Sequence, residues 1–227
     1  MMTRMNQERL TPDRRRQMTR DALIEAATEA FASRGYAGAS LESIASAAGF
    51  TTGAIYSNFA DKEDLLMAVL DRHSEAMIES STHAMDEARS ETGSLTHPGD
   101  AAAAASNWIA RAVATPHFEM LRLELTLHAM RNPAFAERYL EFRRLENERG
   151  AATMEEQHAL YGVRTTLPAV DLSLITGTAS YAIAEWAILD PENAAHYAEL
   201  LTHIYLLPRA FYEPDPDADA EVAVLGT

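Results

Sequence analysis

Apolar residues in this chain recur three and four positions apart almost from end to end, and the strict alternation of a half-buried strand is nearly missing. Such a chain folds as helices packed on helices, so the expected class is all-α with about nine helices. Thr19 reads as the N-cap of the first, with Asp21 in its first turn, Leu23, Ala27, Ala30 and Phe31 on its buried stripe, and Gly35 at its end. Ser40 caps a short second helix over Leu41 to Ala48, Gly49 supplies the left-handed turn, and Thr51 opens a third carrying Ile55, Tyr56 and Phe59. Asp61 caps a fourth, on which Leu66, Val69, Leu70, His73 and Met77 share a face. After a loop over Glu91 to Asp100, helices are expected over Ala101–Ala114, Pro116–Met130 and Pro133 to about Tyr161, the last bending at Gly150. Two more run from Pro168 to Leu189 and from about Asn193 to Tyr212. The tail, 213–227, holds two prolines and five acids before Val222 and is expected to be disordered.

Composition removes several function classes. Without cysteine there is no disulfide, thiolate zinc site or thiol nucleophile. Eight dispersed histidines show no repeated ligand spacing, so neither a metal nor another cofactor is expected. Phosphate-binding glycine loops and nucleophile elbows are missing, which leaves catalysis without a carrier. Arg4, Arg9, Arg14 and Arg15 are followed by no apolar stretch, which reads as no secretory signal. Ala179 to Leu189, the most apolar region, is broken by Glu185 and reads as too short for a membrane span. The expectation is a soluble cytoplasmic protein.

Two short helices joined at Gly49, the second exposing small polar residues, form a helix-turn-helix pattern, whose second helix enters the DNA major groove. The stretch from Ala30 to Leu66, AFASRGYAGASLESIASAAGFTTGAIYSNFADKEDLL, closely resembles the N-terminal DNA-binding domain of the TetR family of bacterial transcriptional regulators. Phe31, Gly35-Tyr36, Ser40, Ile44-Ala45, Ala48-Gly49, Gly53, Ile55-Tyr56, Phe59, Lys62 and Leu65 carry the likeness. Gly53 would let backbone approach phosphate or base edges, Thr51 and Thr52 offer hydroxyls for phosphate or for helix capping, and Ser40 is both a cap and a phosphate donor. Tyr56 can pack its ring and reach a phosphate with its hydroxyl. Ser57 and Asn58 are placed on the outward side, where Asn58 could pair with adenine or end the helix in solvent. Lys62 is the chain's single lysine, and the resemblance implies a phosphate contact there.

The net charge of −15 argues against a polyanionic partner until it is divided. Residues 1–20 hold six arginines against two acids, +4, residues 21–60 carry −3, and the remainder −16. Residues 1–18 thus read as a flexible basic arm able to reach the minor groove, or as a solubilising tail. Residues 19–60 read as the DNA-binding domain and 61–212 as a helical regulatory domain, acidic enough to keep DNA off other surfaces.

On the eighth helix, Leu172, Ile175, Ala179, Ile183 and Trp186 follow one another at helical spacing, and the ninth offers Leu201, Ile204 and Tyr205. These helices suit pairing with their copies in a four-helix bundle, where the resemblance also places the family's dimer interface; otherwise the stripes fill the protomer's core. A dimer would set two readers about one DNA turn apart, ~34–36 Å, on a pseudo-palindrome. The resemblance also implies an effector pocket among the middle helices. His73, Met77, Trp108, Phe118, Met120, Glu124, His128, Phe135, Tyr139, Phe142, Met154 and His158 are its expected lining, although bulky apolar residues of this kind are more often plain core. On a helical wheel Glu119, Arg122 and Thr126 form an outer strip, and Glu124 lies opposite in an apolar arc with Met120, Leu121, Leu127 and His128. A carboxylate placed there requires a partner, either His128, Arg131 or a cationic ligand.

The functional expectation is a repressor released from its operator by a small, largely apolar molecule. A ligand-independent DNA-binding factor controlled by a protein partner is the alternative, and a helical enzyme a distant third. A cavity in the helical body separates the first from the second.

Overall fold

The computed structural model describes residues 11–92, 98–160 and 163–214, which contain nine α-helices, two 3-10 turns and one short two-stranded ribbon. They belong to two compact units, Met1–Leu70 and Asp71–Thr227, and the expected boundary after residue 60 lies ten residues earlier.

In the first unit α1 spans Pro12–Gly38 and starts seven residues before the expected Thr19. Thr11 is its N-cap, accepting from the Arg14 amide at 3.3 Å, with Pro12 at the first position and Asp13 in the first turn. Thr19 lies mid-helix, donating its hydroxyl to the Arg15 carbonyl at 3.0 Å. Residues 12–18 are therefore helix rather than arm, and the arm's residues 1–10 lie outside the described residues. Gly35, at φ 67° and ψ 177°, interrupts the helix where its end was expected. Ser40 caps α2, Leu41–Ala47, by accepting from the Ser43 amide at 3.2 Å. Gly49 makes the turn at φ 77°, and α3 covers Thr52–Tyr56. Gly49→Ala meets no neighbouring atom, so its expected cost of about 1 kcal/mol is backbone strain alone. Urea unfolding checks this, and Gly49→Asn should restore part of the loss.

The fourth helix, α4, runs Lys62–Thr92, so it starts in the first unit and continues into the second. Asp61 caps it by accepting from the Asp64 amide at 2.8 Å, while Asp64 reaches back to the Ala60 amide at 2.9 Å. Leu23, Phe31, Ile44, Ile55, Leu65 and Leu66 fill the core of the first unit.

The second unit adds α5 (Pro98–Ala114), α6 (Pro116–Arg131), α7 (Pro133–Leu160), α8 (Ala169–Leu189) and α9 (Ala194–Leu206). Packing of α5 against α9, of α7 against α8 and of α8 against α9 dominates it. Its core joins Met77, Ala105, Trp108, Ile109, Ala184, Ala187 and Leu201. By length and composition α8 could cross a membrane, contrary to the reading of its sequence, yet here it packs against α5, α7 and α9. Helix α7 runs through Gly150 without a break. A Cβ there would stand 2.7 Å from Ser173 Oγ, so this glycine serves the close approach of α7 and α8.

Two features depart from the expected pattern. Strand β1 (Val163–Thr165) pairs antiparallel with β2 (Tyr212–Pro214), and Arg164 binds Glu213 at 2.7 Å. The last helix therefore ends at Leu206, and residues 213–214 are strand; of the expected tail, 215–227 lie outside the described residues. The other departure is the inverted face of α6. Glu119 is 9 % exposed and lies against Arg122, whose guanidinium also meets Glu185 at 3.1 Å and the Tyr181 ring at 4.1 Å. Thr126 shares a 2.9 Å hydrogen bond with the Tyr139 hydroxyl. Glu124, Met120, Leu123, Leu127 and Met130 are the exposed side instead.

Candidate DNA-reading surface and effector cavity

Helix α3 is held by its inward side. Ile55 and Phe59 are buried, and α1 grips its end: Arg16 donates to the Ser57 carbonyl at 3.3 Å and Arg20 to the Asn58 carbonyl at 2.9 Å, with the Arg20 guanidinium 4.3 Å above the Phe59 ring. These two arginines, counted with the basic arm in the sequence, thus brace the reader. Asn58 is half-buried and turned back, its amide nitrogen donating to the Ala54 carbonyl at 2.8 Å. That corrects its placement on the outward side.

The outer side of α3 presents Thr51, Gly53, Ser57 and Tyr56, the last 62 % exposed, with Thr52 half-buried beside them. Thr51 holds the N-cap conformation but makes no side-chain cap hydrogen bond, so capping does not account for its hydroxyl. A Cβ on Gly53 would meet only Thr51 Oγ1, at 3.6 Å. Nothing inside the protein demands glycine there. Ser40 accepts the Ser43 amide and keeps its own O–H as a donor. The Lys62 ammonium lies 4.4 Å from the Tyr36 ring, whose hydroxyl pKa is pushed up to about 12 by burial and by Glu63 and Asp61.

In the second unit a cavity of about 430 Å³ opens between α4, α5, α7, α8 and the end of α9. Of the twelve expected lining residues, Trp108, Met154 and His158 line it. Met77 belongs to the core. His73 stacks on Phe118 at 3.6 Å, away from the cavity. His128, Phe135, Tyr139 and Phe142 form an aromatic ladder between α6 and α7, while Met120 and Glu124 are exposed. Much of the rest of the wall is hydroxylic, with Ser74 and Ser81 from α4 and Ser173, Thr176, Ser180 and Tyr181 from α8. The signal was present in the sequence: Ser173, Thr176, Gly177 and Ser180 draw a small polar stripe at helical spacing through an otherwise apolar helix.

Burial is the main cause holding the His73 pKa down to about 4, helped by Arg111 and His117. The unfolded chain therefore binds more protons between pH 6.5 and 4, so this contribution to stability is complete above 6.5 and lost as pH falls to 4. Wild type should lose on the order of 2 kcal/mol relative to His73→Phe across that window, with no change in the difference above pH 7. Urea titrations of both proteins at several pH values check it.

The expected dimer residues separate into two sets. Leu172 and Leu201 are buried, and Ile183, Ile204 and Tyr205 pack on the protomer's own core, with Tyr205 bonded to Ser180 at 3.1 Å. Ala179 is half-buried. Ile175 and Trp186 are exposed, Trp186 to 65 %, as is Leu189 on α8; Leu200 on α9 and Leu207 after it are exposed too.

Residues 23–69 match the sequence profile of the tetR family of bacterial regulatory proteins. Over 55 residues the chain is 51 % identical to the HTH-type transcriptional regulator TtgR of Pseudomonas putida, a match spanning 24 % of this chain and about a quarter of that relative, 26 %. It is 26 % identical over 152 residues to the HTH-type transcriptional repressor AcnR of Corynebacterium diphtheriae, covering 66 % of this chain and 71 % of the other. The fold recurs in a TetR-family regulator from Rhodococcus sp. (TM-score 0.64, 16 % identity, 85 % and 98 % of the two chains). It recurs also in the fatty acid degradation regulator FadR of Bacillus halodurans (TM-score 0.57, 18 % identity, 88 % and 97 %). With the profile falling on the helix-turn-helix whose outer face is built around Tyr56, residues 23–69 form a helix-turn-helix domain of the tetR family, and the chain shares the fold of TetR-family regulators along most of its length.

Proposed function

We propose that this protein is a homodimeric repressor that binds a pseudo-palindromic operator and leaves it when a small molecule occupies the cavity. The observation carrying the DNA part is α3 itself, locked from behind by Ile55, Phe59, Arg16 and Arg20 while Tyr56, Thr51, Gly53 and Ser57 lie exposed on its outer side, Ser57 donating back to the Ala54 carbonyl at 2.9 Å. In the proposed roles, Tyr56, Lys62, Ser40 and Thr51 meet phosphates, Gly53 permits close backbone approach, and Thr52 and Ser57 face base edges. Operator binding places the protein in the cytoplasm. The cavity supports control by a ligand over control by a protein partner. Helix α4 supplies both Lys62 and the wall residues Ser74 and Ser81, which makes it the lever; a ligand preferring one setting of α4 would change operator affinity by ~1–3 kcal/mol.

DNA fragments selected by the wild-type protein provide the operator for the test. Tyr56→Ala with Lys62→Ala should weaken specific binding by roughly two orders of magnitude and lower the salt slope by about one, the share of the lost lysine. Gly53→Ala should keep or raise the melting temperature, since alanine favours helix by up to ~1 kcal/mol, while still weakening operator binding. Full affinity in the double variant would remove this face as the reader.

A further inference from the structure

Most polar groups around the cavity answer one another. Ser173 donates to the Asn147 carbonyl at 3.1 Å, Ser180 to the Thr176 carbonyl at 2.8 Å, and Arg143 pairs with Glu146 at 3.3 Å. Two buried groups on the wall, Trp108 Nε1 and Ser81 Oγ, have no hydrogen-bond partner among the described residues; their residues are 7 % and 9 % exposed. One position earlier on each helix, Ser80 donates to Asn107 Oδ1 at 3.0 Å, which sets Ser81 and Trp108 at the same level of α4 and α5. An indole N–H can only donate, and a serine hydroxyl can donate as well, so the site is built to receive an acceptor. Each donor atom is closed to a water-sized contact as the side chains stand, so an acceptor reaches it through a shift of the Trp108 or Ser81 side chain, and an occupant that supplies one relieves an unmet buried donor.

Charge narrows the class. Glu146 is held by Arg143 and by Ser74, and Arg143 also faces the Tyr181 ring at 5.6 Å. Recruiting either charge would break that pair. His158, deep in the wall, has its pKa lowered by burial to about 4 and is neutral at pH 7. The remaining wall is aromatic and aliphatic, with Trp108 set edge-on to Tyr181 at 5.5 Å, alongside Ile78, Met85 and Leu174.

Taking the cavity as the effector site proposed above, we infer that the effector is an uncharged, mainly apolar molecule whose carbonyl or ether oxygen accepts from Trp108 Nε1–H and Ser81 Oγ–H. A volume of about 430 Å³ suits a body of two or three rings or a chain of similar bulk.

Calorimetric titration of the full-length protein with four probes of one shape tests this: 2-acetylnaphthalene, its hydrocarbon analogue 2-isopropenylnaphthalene, 2-naphthoate and 2-naphthylmethylammonium. The ketone should bind about tenfold more tightly than the hydrocarbon and than either ion. Ser81→Ala and Trp108→Phe should each draw the ketone toward the hydrocarbon, whose own affinity stays within about twofold; Ser81→Ala guards against a packing defect in the other variant. Equal binding of ketone and hydrocarbon, or a preference that survives both substitutions together, overturns the inference. A charged probe binding most tightly overturns it too, but leaves the cavity as an effector site. If none of the four binds, the effector reading falls with it.

Discussion

Arg122→Ala is expected to destabilise the protein by about 3–5 kcal/mol, a large part of what holds an ordinary domain together. Its guanidinium meets Glu119 and Glu185 and stacks on Tyr181 in a region where Glu119 is nearly inaccessible. Burial pushes the Glu119 pKa up, and Arg122 opposes the push. Without the arginine, a carboxylate is left in an apolar wall and must either take up a proton or open the α6–α8 packing. Adding Glu119→Leu to Arg122→Met removes both charges and should recover most of the loss, because the desolvation cost of an ion pair cancels much of its attraction. A double-mutant cycle in urea measures the coupling; a single-variant loss below about 1 kcal/mol would show that the cluster is solvated and of no structural weight.

The same cluster shows where sequence reading stops. A helical wheel divides α6 into a strip of Glu119, Arg122 and Thr126 and an arc rich in leucine and methionine, and hydrophobicity alone sends the arc inward. The fold keeps Leu121 buried but turns Met120, Glu124 and Leu127 outward and the strip inward, because Glu185, 63 residues away, and Tyr139 and Tyr181 supply partners for the polar strip. No local pattern contains that information. Local chemistry was legible wherever it sufficed: the Ser40 and Asp61 caps, the Gly49 turn and the inward Ile55 and Phe59 follow from residues within a few positions of one another. The start of α1 was encoded in Thr11-Pro12-Asp13 but masked by a dense run of arginines, two of which brace α3 from about forty residues away. Likewise the ribbon between residues 163–165 and 212–214 depends on a pairing across two helices. In the cavity, bulky apolar residues drew the expectation toward Phe118 and Phe135, which fill helix interfaces, whereas the wall mixes apolar side chains with serines and threonines whose smallness leaves space.

Trp186→Glu should convert the protein from dimer to monomer in sedimentation velocity and lower operator affinity by at least ~100-fold, since each reader would then hold its half-site without help from a tethered second. Fold stability should hardly change, because the indole is 65 % exposed on the protomer and lies outside its core. Leu201→Ala makes the contrast: that side chain is fully buried, so its loss should cost about 2–5 kcal/mol of folding stability. The two substitutions lie on neighbouring helices that the sequence presents as one kind of apolar stripe, yet they should move different observables. A Trp186→Glu protein that remains dimeric with unchanged dissociation would place the interface elsewhere, and the exposed Met120, Leu127 and Met130 of α6 would be the next apolar surface to test.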